Sequence, residues 1–334
     1  MRARLLLPLT LVGLLLLLLA GLRLGSYDTS WADLLRSLAH PGAAIGADPL
    51  AFVVWELRLP RLLLAAVAGG SLALSGYLLQ ATVANDLADP YLVGTAAGAS
   101  VGAVASYALL PGGGWLWGLY MPPLAAFAGG LGATGLVLAL GTRRGRLDPT
   151  TLILAGVAMS SLLGAVTGLL TFVASQSEGA LRAVVFWAFG GFERADWQTL
   201  PYPAGALALG LLVALSRHRV LPLLLLGDER AASLGVTTGR ERLLLLSTAA
   251  LLTAATVALT GPIGFVGLLV PHAARRLLGA HHVAAPLLAT GLGAVLLVGC
   301  DGVARLLYPP AGLPVGLVTS LVGVPFFLSL LRRK

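Results

Sequence analysis

Apolar residues in this chain come in long blocks separated by short polar ones. A helix needs about 20 apolar residues to cross the hydrocarbon core of a bilayer. Ten stretches approach that length: 5–24, 61–81, 91–110, 117–140, 151–173, 199–215, 243–260, 262–279, 283–300 and 314–331. Glycine and proline interrupt several of them. The join at Thr260-Gly261-Pro262 reads either as one kinked helix or as two helices. In the third stretch a small residue recurs at helical spacing, at Gly94, Gly98 and Gly102, which lets a neighbouring backbone approach closely. The pattern predicts an all-α fold: a polytopic membrane protein of about ten transmembrane helices, forming a single domain over residues 1–334.

Composition narrows the function classes. The 334 residues are 57% hydrophobic and 11% charged, whereas soluble domains carry about 25% charged residues. With 43 glycines besides, a water-soluble enzyme, a disordered regulator and a nucleic-acid-binding domain all fit poorly. The net charge of +8 is spread over many short loops, a pattern of membrane topology rather than of a nucleic-acid face. Lys334 is the one lysine, so a phosphate-binding loop of the GxxxxGK[ST] type is impossible and nucleotide energy has to enter through a partner. The lone Cys300 cannot form an intrachain disulfide and reads as an inert residue in an apolar run.

Basic residues also set the orientation. Arg2 and Arg4 give the first stretch the look of a signal peptide, but Ala20-Gly21-Leu22 is a poor cleavage site and nine further stretches follow, so a retained span is expected. One set of loops and ends carries Arg2, Arg4, Arg143, Arg144, Arg146, Arg217, Arg219, Arg230, Arg240, Arg242, Arg275, Arg276, Arg332, Arg333 and Lys334. The other carries Arg23, Arg36, Arg58, Arg61, Arg182, Arg194 and Arg305. That bias, 15 against 7, predicts both termini in the cytoplasm. Merging the helices at 260–262 would swap the last two loops and shrink the bias. All fourteen acidic residues are expected in loops or at span ends, which leaves His272 as the one ionisable candidate inside a span. A secondary transporter driven by an ion gradient, the competing class, would depend on it, although beside Pro271 it also reads as a hydrogen-bonded helix residue. An intramembrane enzyme lacks an HExxH, a membrane aspartate pair or a GxSG serine. His281-His282 has no Cys or carboxylate beside it, so no metal site is predicted.

Four polar or irregular segments exceed what a bare bundle needs. They are Arg58-Leu59-Pro60-Arg61; QATVANDLADP from Gln80 to Pro90; GDERAASLGV from Gly227 to Val236; and GPIGFVGLLVPH from Gly261 to His272, followed by Arg275. With LILAGVA (Leu152 to Ala158), FWAFGGFERADW (Phe186 to Trp197) and LPVGLVTSLVGVPFF (Leu313 to Phe327), they run in order from about residue 55 to the C-terminus. Together they resemble the permease subunits of the iron-siderophore, haem and cobalamin family of ATP-binding-cassette importers, of the type II permease fold.

That resemblance implies roles for particular residues. Gly227, Asp228, Glu229, Arg230, Ala231, Ala232, Ser233, Leu234 and Gly235, in the long loop at about 216–242, match the helix that docks on the ATPase; on residues alone this is equally an amphipathic connector. Arg58, Arg61 and Arg305 match positions that meet carboxylates of an extracytoplasmic binding protein; read alone, the first two are also suited to anchoring a helix at the headgroups. Asn85, Leu87 and Thr150 match positions that close the cytoplasmic end of the pathway. Three residues depart from the family pattern: Asp86 where Asn-Pro-Leu is usual, Pro149 where a small hydroxyl residue is usual, and Gly312 where Glu is common. The implied assembly is a homodimer in a bacterial or archaeal cytoplasmic membrane, with two ATPase subunits that bind ATP and Mg and one binding protein. This chain itself would hold no cofactor, metal or catalytic residue, and its cargo would be a ferric siderophore, haem or cobalamin.

Overall fold

Each of the ten apolar stretches contains a helix in the computed structural model, which describes residues 2–25, 29–39, 49–109, 115–143, 146–279, 282–309 and 312–331. Arg144, Arg332, Arg333, Lys334 and His281, used above, lie outside the described residues. In chain order the helices are α1 (Arg2–Arg23), α2 (Trp31–Ala39), α3 (Pro49–Phe52), α4 (Leu59–Thr82), α5 (Thr95–Leu109), α6 (Trp115–Gly141), α7 (Pro149–Ala174), α8 (Glu178–Phe189), α9 (Pro201–Ser216), α10 (Val220–Leu224), α11 (Asp228–Ser233), α12 (Thr238–Thr260), α13 (Val266–Leu278), α14 (Ala285–Leu307) and α15 (Val315–Leu331). A π-helical turn, Val53–Arg58, joins α3 to α4, and a 3₁₀ turn, Pro90–Val93, precedes α5. The strand content among the described residues is one two-residue pairing, Thr142–Arg143 against Arg146–Leu147.

Among the described residues six helical segments are long and apolar enough to cross a membrane: Ala3–Arg23, Pro49–Thr82, Tyr120–Gly141, Pro149–Ala174, Thr238–Thr260 and Ala285–Leu307. The apolar helices α5, α9 and α15 are shorter, and α13 carries Pro271, Arg275 and Arg276. The protein is therefore a multi-pass, all-helical membrane protein. Sequence patterning did not anticipate α2 or α8. The former is a nine-residue amphipathic helix, too short to register as a span, and opens on a cap in which Ser30 Oγ accepts from the Asp33 N–H at 3.1 Å.

The bundle is organised around α4, nearly all of whose side chains are buried. Lipid offers helices no hydrophobic incentive to associate, so close backbone packing and interhelical hydrogen bonds have to hold them. Accordingly, α4 crosses α14 at Gly69 and Gly293, where a Cβ on either residue would fall on the carbonyl oxygen of the other. Ser75 Oγ on α4 donates to the Ala249 carbonyl of α12 at 2.8 Å. Gly98 and Gly102 meet the α6 backbone in the same way, as their spacing predicts, whereas Gly94 instead ends the 3₁₀ turn at φ +80°.

At Thr260-Gly261-Pro262 the chain makes two helices, with Gly261 at φ +67° ending α12. Irregular backbone at membrane depth survives only where its polar groups are satisfied inside the protein. Tyr91 does this: its hydroxyl donates to the Ile263 carbonyl at 3.0 Å and accepts from the Ile263 N–H at 2.9 Å. By contrast, α1 and α7 expose apolar side chains outward, among them Leu5, Leu9 and Leu16, and Leu154, Leu162, Leu169 and Phe172.

Candidate coupling and gating site

Two short elements occupy the loop between α9 and α12. Gly227 (φ +90°) and Gly235 (φ +84°) bracket α11, turning the chain sharply on each side of it. Ala231 is its buried contact, while Glu229, Arg230, Ala232 and Ser233 face outward and Leu234 is 60% exposed. Asp228, at the first position of α11, pairs with Arg242 of α12 at 2.6 Å. Arg242 is buried, and its guanidinium also donates to the carbonyl of Thr82, the last residue of α4.

Beyond Thr82 lies the turn that carries Asn85 and Leu87. Asn85 Oδ1 accepts from the Leu87 N–H at 2.9 Å, and the Ala88 N–H donates to the Asn85 carbonyl at 3.1 Å, so the asparagine shapes the turn from its own side chain. The preceding residue, Ala84, sits at φ +49°, a conformation that costs a non-glycine residue energy and that the surrounding bonds must hold. Gln80, fully buried, braces the turn by donating to the Ala88 carbonyl at 3.0 Å and to the Leu268 carbonyl of α13 at 3.1 Å. Arg275 of α13 donates to Gln80 Oε1 and pairs with Asp86 at 3.1 Å. The aspartate that stands in place of the usual proline thus has a partner.

Downstream, Asp89 caps the 3₁₀ turn by accepting from the Tyr91 N–H at 2.8 Å. Burial pushes the Asp89 carboxyl up to about 6 against this hydrogen bond, and the residue borders a cavity of about 550 Å³ lined also by Tyr91, Val157, Ser160 and Ser161. Thr150 is exposed in the first turn of α7. One apolar cluster, with Val83, Ala88, Leu147 and Leu152, places it at the same end of the molecule as the Asn85 turn. Pro149 sits at the first position of α7, where its missing N–H costs nothing. Asp148 caps that helix, accepting from the Thr151 N–H at 2.9 Å, and the bonds from Thr151 hold its carboxyl below the ordinary range.

At the opposite end two of the three predicted arginines, Arg61 and Arg305, converge on a residue the patterning misplaced. Asp301 was expected at the edge of a span, yet it lies inside α14 with no exposed surface. It is bound by Arg61 Nε at 2.8 Å and Arg305 Nε at 3.1 Å. Arg305 also donates to the Gly21 and Leu24 carbonyls, and Arg61 lies 3.8 Å from half-exposed Glu193. Arg58, 6% exposed, donates to the Leu22 carbonyl at 2.6 Å and Thr29 Oγ1 at 2.8 Å. All three guanidinium groups therefore have acceptors within the fold. The local signal for Asp301 was its spacing four residues before Arg305, the separation at which opposite charges meet on a helix. Its partnership with Arg61, 240 positions away in sequence, has no such signature.

Among the described residues no group of three or more His, Cys, Asp or Glu side chains is arranged to hold a metal. His272 lies half-buried in α13, and the exposed His282 accepts from the Ala284 N–H through Nδ1 at 3.1 Å.

Residues 13–333 match the model of the FecCD transport family. The chain belongs to the FecCD transport family. It is 42% identical over 305 residues to the cobalamin import system permease protein of Halobacterium salinarum, covering 91% of this chain and 80% of that protein. It is 39% identical over 333 residues to the hemin transport system permease protein of Yersinia pestis, covering 98% and 96% respectively. Its fold is similar, at a TM-score of 0.85 and 30% identity, to a structure described as an inward-facing metal-chelate type ABC transporter, covering 98% of this chain and 99% of that one. As a FecCD member, the chain is a transport permease and not an enzyme.

Proposed function

We propose that this FecCD family member is the permease subunit of an ATP-driven importer that carries a bulky metal chelate or metal-tetrapyrrole, a ferric siderophore, haem or cobalamin, across the cytoplasmic membrane of a bacterium or archaeon. The observation that carries the proposal is α11: a short helix anchored by Ala231, with Leu234 exposed beside a charged rim. An apolar side chain in that setting suits a pocket on a soluble partner. That partner is an ATPase subunit, which binds ATP and Mg, and Gly227 to Gly235 are the segment that docks on it.

Ten crossings, both termini in the cytoplasm, and a homodimer with two ATPase subunits and one extracytoplasmic binding protein complete the reading. The exposed apolar faces of α1 and α7 support lipid on one side and a second copy of the chain on the other. Asn85, Leu87 and Thr150 form the gate at the α11 end, and alternating access between two states with different affinities for the ATPase drives transport. At the far end Arg61 and Arg305 hold the rim that receives the binding protein. Arg58, with its guanidinium inside the fold, contributes to docking by fixing the entrance to α4.

Purification from native membranes in mild detergent, with native mass spectrometry, tests the assembly. Two copies of this chain with two ATPase chains are expected. Leu234→Asp is expected to weaken ATPase capture roughly thirtyfold, the cost of losing an interface anchor, without changing the yield of folded permease. A stable, transport-competent homodimer that binds no ATPase overturns the reading. Uptake of labelled cobalamin, hemin and ferric citrate by vesicles carrying the whole complex then assigns the cargo.

A further inference from the structure

The last turn of α4 is held from two sides by buried arginines, and each has its other contact on a half-exposed carboxylate. Arg242 joins the Thr82 carbonyl to Asp228, the first residue of α11. Arg275 joins Gln80 to Asp86, in the turn between Asn85 and Leu87. These contacts form one unbroken polar chain: α11, Asp228, Arg242, the end of α4, Gln80, Arg275, Asp86 and the gate turn. Arg242 reaches its two acceptors through Nη1 and Nη2, and Arg275 reaches both of its acceptors through Nη2.

The two ends of each bridge differ in strength. Arg242 and Arg275 are 3% and 9% exposed, whereas Asp228 and Asp86 are 48% and 50% exposed. A buried guanidinium must keep an acceptor, which the carbonyl of Thr82 and the amide of Gln80 supply inside the fold. An ion pair to a half-exposed carboxylate is weak and readily exchanged for water. Each arginine is thus permanently seated on α4 and reversibly attached to a segment at the surface.

We propose that Arg242 and Arg275 are positioning residues that pass a displacement of α11 through the end of α4 to the Asn85–Leu87 turn, with the Asp86 pair as the releasable latch on that turn. This inference rests on the importer reading, since it requires α11 to be moved by a partner. The latch belongs to this chain's own sequence, because Asp86 stands where a proline would have no charge to release.

The test uses the intact permease–ATPase complex in lipid vesicles and needs no cargo. A Leu87→Cys reporter in a Cys300→Ser background reports the state of the turn through its rate of labelling by a membrane-impermeant maleimide, with and without ATP. ATP is expected to change that rate. Adding Asp86→Asn or Asp228→Asn is expected to shrink the ATP-dependent change by about two- to thirtyfold, the range over which network residues modulate coupling. ATP hydrolysis per complex persists in the Asp86→Asn variant, and Asp86→Glu restores the change. A purely structural role would lower hydrolysis and labelling together. If both asparagine variants keep the full ATP-dependent change, the relay is overturned and the importer reading stands. If the reporter chain captures no ATPase, or ATP leaves its labelling unaltered, the importer reading fails first and the relay falls with it.

Discussion

The two ends of the bundle use the same residue type in opposite ways. At one end Arg61 and Arg305 close on Asp301, a carboxylate with no exposed surface, so every charge in the cluster is committed to the fold. At the other end Arg242 and Arg275 are buried more deeply still, but their carboxylate partners, Asp228 and Asp86, stand half in solvent. Where both members of an ion pair are buried, separation strands both charges; where the carboxylate is wet, water takes it back and the guanidinium falls back on its acceptor on α4, which lowers the cost. The first arrangement fixes α1, α4 and α14 relative to one another. The second leaves each arginine seated on α4 with a surface attachment that water can replace.

Removing Asp301 gives the sharpest contrast. Asp301→Ala leaves two guanidinium groups facing each other without their counter-charge, and is expected to cost about 3–5 kcal/mol of stability, measured as a fall in melting temperature and folded yield in detergent. Asp86→Asn and Asp228→Asn are expected to cost only about 0–1 kcal/mol each, and their small effects should fade further in high salt. Comparable losses at both ends would erase the distinction between a fixed cluster and a releasable one.

The smallest effect concerns protons. Because the Asp89 carboxyl titrates at about 6 in the fold and near 3.8 as an ordinary carboxyl, the folded chain holds a proton that the unfolded chain gives up in that interval. Stability is therefore expected to decline as pH rises from about 4 to about 6 and to level off above it. Asp89→Asn should flatten this profile, as melting temperatures across the range would show.

Much of this architecture is written in local pattern. The apolar blocks mark the helices, the Gly98 and Gly102 spacing marks a close crossing, and Gly261-Pro262 marks a break. What escapes local reading is whatever depends on partners distant along the chain. Asp301 looks like a span-end acid until the fold brings Arg61 to it. Asp86 looks like a lost proline until Arg275 arrives. The helices α2, α8 and α11 are too short or too amphipathic for a membrane-span criterion to register. The segment from Gly227 to Gly235 was nonetheless visible as a family motif, though nothing in it names Arg242 as the residue that grips Asp228.

Tyr91 has a consequence for how such a protein can change over generations. One phenolic hydroxyl serves both the N–H and the carbonyl of Ile263, 172 positions further along the chain. A lineage that exchanges this tyrosine for phenylalanine strands two backbone groups in the interior at once, and a side chain that rescues them must bring a donor and an acceptor to the same place. The two stretches are thus inherited as one unit, free to drift only in step.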